Sequence, residues 1–92
     1  MAPDEPLVHS TIDVRETTPA LLWTRVKLQL EKLSYGERLA VQVDQPEGIE
    51  RIPEQARREG HKVVDVRVIV GGGYEIIIER SRQNFARAFM KG

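Results

Sequence analysis

Hydrophobic residues in this chain switch repeatedly between a spacing of two and a helical spacing, and finish in two alternating runs joined by Gly71-Gly72-Gly73. Few folds accommodate that order. Ile12 and Val14 alternate with Asp13 and Arg15, which predicts a short half-buried strand over residues 11–15. Thr17, Thr18 and Pro19 then form a helix start, a hydroxyl cap followed by proline in the first turn. Leu22, Val26, Leu30 and Leu33 recur three or four apart and predict an amphipathic helix over residues 18–33. Ser34-Tyr35-Gly36 ends it, with Gly36 suited to a left-handed cap.

Alternation returns over residues 37–44, where Leu39, Val41 and Val43 face inward and Arg38, Ala40, Gln42 and Asp44 face out. Gln45 to Gly48 breaks that strand, and Ile49, Ile52 and Ala56 mark the buried stripe of a second helix closed by Gly60. Pro53 leaves two alternatives: a helix from Pro46 bent by an internal proline, or an irregular turn with the regular helix starting at Pro53. Residues 62–70 read as a strand with Val64, Val66, Val68 and Val70 on one face and Asp65, Arg67 and Ile69 on the other. The three glycines turn it into a returning strand over residues 74–80. A phosphate cradle needs a helix after its glycines, and here a strand follows. The order βαβαββ predicts an α+β fold: a two-layer α/β sandwich, its four-stranded mixed sheet carrying two helices on one face. The helical connections are expected to be right-handed crossovers.

Ninety-two residues make one domain. Its expected parts are a loose leader over residues 1–10, the domain over 11–80, and a basic, aromatic tail over 81–92. Lys plus Arg total 14 and so do Asp plus Glu, so no global charge draws the chain to nucleic acid or anionic membrane. Cysteine is absent, which excludes disulfides, thiolate metal sites and cysteine nucleophiles. No apolar run approaches the roughly 20 residues of a membrane span, and the acidic start MAPDEPLVHS is no signal peptide. The cytoplasm is therefore the expected compartment. In the tail, Phe85 and Phe89 lie four apart, as do Ala86 and Met90. They predict a short C-terminal helix, docked on the helix-free sheet face beside Ala40, Ile69 and Ile77 or across a homodimer; a frayed tail is the alternative.

Chemistry-bearing candidates are few. Thr17 or Thr18 is expected to cap the first helix, Thr18 preferred because Pro19 then falls at the first helical position. Asp13 and Arg15 share a strand face and suit a surface ion pair. Trp23 is either a flank of the core or an exposed contact beside the helix start. His9 is expected to be solvated and His61 to sit in a turn; the two are too far apart in sequence to suggest a metal site, and no cofactor is implied. Arg80, Arg82, Arg87 and Lys91 make a basic end, a weak nucleic-acid signal without interleaved aromatics on the sheet.

Asp13-Val14-Arg15, the break at Tyr35-Gly36-Glu37, and Ile52-Pro53 leading to Glu59-Gly60-His61 occur in an order and spacing that resembles the TusA/SirA-like sulfur-carrier family across residues 11–80. The resemblance implies the same βαβαββ sandwich. Family members typically read Asp-Leu-Arg-Gly, two residues, then Cys-Pro at the start of the first helix, where unpaired N–H groups lower the thiol pKa. Aligned without gaps, Pro19 falls at the cysteine and Ala20 at the proline; allowing one inserted residue keeps Pro19 as the proline and brings Thr18 to the cysteine position. Glu16 replaces the glycine. The resemblance therefore implies a non-catalytic interaction module docking to a sulfur-relay or redox partner, with Arg15, Thr17, Thr18 and Trp23 as contact candidates. An alternative is an accessory whose helix start assists a partner's persulfide.

Overall fold

The computed structural model describes residues 7–81. Its elements are β1 (Ser10–Asp13), α1 (Pro19–Leu30), β2 (Arg38–Val43), α2 (Pro46–Arg58), β3 (Lys62–Val68) and β4 (Tyr74–Glu79). The sheet order is β1-β2-β4-β3. β1 runs parallel to β2, with Ile12 opposite Val41, and β4 lies antiparallel to both β2 and β3. The predicted sandwich is the observed fold. The expected tail helix, with Phe85 and Phe89, lies outside the described residues.

Leu39, Val41 and Val43 of β2 and Ile76 and Ile78 of β4 supply one dry face, and Leu22, Val26, Leu30, Ile52 and Ala56 of the two helices close over it. Each such leucine, isoleucine or valine contributes about 1.5–3 kcal/mol on burial, so this layer dominates the stability. Helix α2 begins at Pro46 and contains Pro53, which is buried. The helix therefore starts at Pro46, as the first of the two sequence alternatives has it, and runs through Pro53. Gly48 lets the start of α2 approach β2: a Cβ there would meet Val43 side-chain atoms at 3.3 Å.

Four expectations need correction. Helix α1 ends at Leu30 rather than Leu33, and Arg80, the residue after β4, binds the carbonyls that follow the helix. Its Nη1 donates to the carbonyls of Glu31 and Leu33, and its guanidinium stacks over the Tyr35 ring at 4.8 Å. Strand β3 is not a simple alternation: the register slips between Val63 and Asp65, so Val63 faces Ile78 and packs on the core. Val66 and Val68 lie opposite Ile76 and Tyr74 but remain exposed on this edge strand, and Val70 is wholly exposed. Strand β1 begins at Ser10, one residue earlier than expected, and His9 N–H donates to Arg38 O at 2.9 Å. Finally, Ala40 and Ile77 occupy the face opposite the helices yet are 1% and 0% exposed. The ion pairs Arg38–Glu79 at 3.2 Å and Arg67–Glu75 at 2.7 Å flank them at the neighbouring positions of that face.

The glycine turn joins β3 to β4, with Ile69 N–H donating to Gly73 O at 3.0 Å. Gly73 has φ +90, and a Cβ there would lie 2.7 Å from Val43 O, whereas Gly72 has nothing within 4 Å. Gly73→Ala should therefore cost about 2 kcal/mol or more, and clearly more than Gly72→Ala. Urea denaturation of the two variants checks this; equal losses would contradict the close approach to β2.

Candidate functional site

At one end of the sheet, β1 and β2 finish side by side and α1 begins. Asp13, the last residue of β1, accepts hydrogen bonds from Arg15 N at 2.9 Å, Nε at 3.0 Å and Nη2 at 2.8 Å. The expected ion pair thus forms as a two-point clamp that turns the chain out of the strand. The Arg15 guanidinium and N–H hold the Asp13 carboxyl down at about 2, and the same pairing raises Arg15. Thr17 N–H then donates to Val14 O at 3.1 Å, closing a four-residue turn whose third residue, Glu16, has φ 67. That left-handed backbone suits glycine, and in another residue costs on the order of 1 kcal/mol.

Thr17 is buried, at 7% exposure. Its Oγ1 accepts from Arg25 Nη1 at 2.5 Å, and its carbonyl accepts from Gln45 Nε2 at 2.8 Å. One threonine is thereby tied to α1 and to the residue preceding α2. Thr18 holds the N-cap position with Pro19 following, as predicted, but its side chain makes no capping hydrogen bond. The reason is visible in the backbone: Leu21 N–H, a donor that a cap would use, already donates to Thr18 O at 2.9 Å. Thr18 is exposed, and the capping expectation does not hold for it.

The remaining candidates separate from this turn. Trp23 faces α2: its Nε1 donates to Glu59 Oε2 at 3.2 Å, while Lys27 Nζ stands 3.8 Å from Glu59 Oε1. It is a half-buried flank of the core joining the two helices. Asp13, Arg15, Glu16 and Asp44 line a shallow depression of about 430 Å³ against Gly71, Gly72 and Gly73. Three carboxylates against one clamped arginine make it a poor anion site. Among the described residues, no group of three or more His, Asp or Glu side chains could hold a metal ion. Sequence reasoning missed Arg25 and Gln45, which secure Thr17 from eight and 28 residues away. Their periodicity marks them only as polar.

The chain from residue 10 to 80 matches the family model described as sulfurtransferase TusA. It belongs to that family. A candidate sulfur carrier protein of Thermotoga maritima is 32% identical over 72 residues, covering 78% of this chain and 91% of that protein. A SirA-like protein from Desulfitobacterium hafniense, solved by crystallography, superposes with a TM-score of 0.70 at 21% identity. That match covers 80% of this chain and all of the other and shows a shared fold. This TusA-family chain differs at the point of chemistry, because it contains no cysteine.

The threonine pair yields a direct test. Thr17→Val removes an acceptor from a charged, part-buried donor and should cost about 1.5–2 kcal/mol, while Thr18→Ala should stay within about 0.5 kcal/mol. Thermal melts of both variants decide it. The reverse ranking would return the capping role to Thr18.

Proposed function

We propose that this protein is a cysteine-free docking member of the sulfur-carrier family: it presents the carrier scaffold to a sulfur-relay or redox protein of the cytoplasm and carries no sulfur itself. The observation carrying this reading is an intact helix start, Thr18 at the N-cap and Pro19 at the first position, in a chain without a sulfhydryl. The left-handed Glu16 supports matching that residue to the family glycine. The N-cap geometry of Thr18 then supports matching it to the acceptor cysteine, with Pro19 as the family proline and the turn between them one residue shorter. A threonine hydroxyl has no sulfur to form a persulfide, so the position retains its shape and loses its reaction.

The charge of the site argues against the accessory reading. A persulfide anion brought to this end of the molecule would meet the carboxylates of Asp13, Glu16 and Asp44, with Arg15 already committed to Asp13. Nucleic acid fares no better: Arg80, the first residue of the basic end, is engaged by the Glu31 and Leu33 carbonyls and by Tyr35. No described helix is long and apolar enough to cross a membrane.

Two measurements on one reaction test the proposal. Incubated with a cysteine desulfurase and ³⁵S-labelled cysteine, the protein should retain no label on a non-reducing gel. Added to the same desulfurase with a cysteine-bearing carrier, it should slow labelling of that carrier, and excess carrier should restore the rate. Unchanged carrier labelling at a large excess of this protein would overturn the docking role.

A further inference from the structure

At the far end of the sheet a second cleft, of about 420 Å³, is lined by Lys27 and Glu31, Tyr35, Glu59, His61 and Arg80, with Ser81 at its rim. It lies where the chain leaves β4. The last ladder pair joins Glu79 to Lys62. Arg80 still pairs through its backbone, donating from N to Glu37 O at 2.8 Å and accepting from Gly36 N at 2.6 Å. Ser81 instead donates its N–H to a side chain, His61 Nδ1, at 3.2 Å. An imidazole nitrogen accepts a hydrogen bond only while it carries no proton, so this contact requires neutral His61 with its hydrogen on Nε2.

We propose that His61 is a proton-sensitive latch just past the C-terminal end of β4: neutral, it holds the Ser81 backbone N–H, and protonated, it releases it. Protonation would set an Nδ1–H against the Ser81 N–H, two donors facing each other. The charged groups around the ring come from every element that meets there. Burial lowers the His61 pKa most strongly, Glu59 at the end of α2 raises it, and Arg80 just past β4 lowers it. Lys27 of α1 and Glu31 just after it line the same cleft, and Tyr35 forms part of its wall. Glu59 is already bound by Trp23 and Lys27, and Arg80 by Glu31 and Leu33 carbonyls, so neither is unengaged and able to follow the proton. The pH dependence has a definite sign. His61 is lowered in the folded state, so its contribution to stability is complete above its ordinary value of 6.5 and is lost as pH falls below it.

The test uses the full ¹⁵N-labelled chain, titrated by NMR between pH ~7.5 and ~4.5. The His61 ring should titrate below 6.5, and the Ser81 amide shift should follow the same midpoint. Exchange protection of Ser81 should fall several-fold through that midpoint, while protection of Ile77 should not. His61→Gln, which retains a side-chain acceptor, should make Ser81 protection independent of pH, and His61→Phe should leave Ser81 unprotected throughout. A Ser81 signal that ignores the titration of the His61 ring would overturn the latch, as would a ring that titrates at its ordinary value. The titration of the unmodified protein decides the matter even if a variant fails to fold.

Discussion

Keeping one face of β2 and β4 dry is the constraint on which the structure depends. Leu39, Val41, Val43, Ile76 and Ile78 form a continuous apolar surface that two strands alone cannot hide, and α1 and α2 exist in their positions because they cover it. The placement of every other feature follows. Leu22 and Val26 must sit over β2, so the chain between β1 and α1 has only Val14 to Thr18 in which to reverse. That short path forces the Asp13–Arg15 clamp, the left-handed Glu16 and the buried Thr17. The site is a consequence of packing.

The parts of the fold legible in the sequence were those set by near neighbours. Alternation at Leu39, Val41 and Val43, and the stripe at Leu22, Val26 and Leu30, survive in the structure because each residue's face is fixed by its own element. What stayed hidden depends on partners distant in sequence. The slip at Val64 arises from pairing with Ile77 and Ile78 of β4, and no local pattern records it. The carbonyls just past α1 are bound by Arg80, which lies 49 residues beyond Glu31. At the site, the family resemblance was legible, and Thr18 and Pro19 were correctly picked out as the helix start. Their hydrogen bonding was not, since Arg25 and Gln45 select Thr17 as the acceptor through tertiary contacts.

Two departures from the family pattern fall within the same turn, and both bear on sulfur. The chain has no thiol, and Glu16, where the resemblance places the family glycine, is a bulkier, charged residue held in a backbone region that glycine occupies without strain. A carrier position that must reach into a partner's active site gains from a small, adaptable turn. Here the turn is stiffened by the Asp13 clamp and by the two hydrogen bonds to Thr17, and it is bordered by carboxylates. That stiffness fits the docking role proposed above.

The central proposal is that the start of α1 keeps the helix N-terminus of a sulfur carrier's acceptor position in a chain without cysteine. The most direct measurement is the thiol pKa of a Thr18→Cys variant, read from thiolate absorbance, against that of Thr24→Cys on the exposed middle of the same helix. The helix N-terminus should hold the cysteine at position 18 below the ordinary ~8.5 and below its mid-helix counterpart. A thiol at position 18 that titrates at or above the mid-helix value would contradict the account.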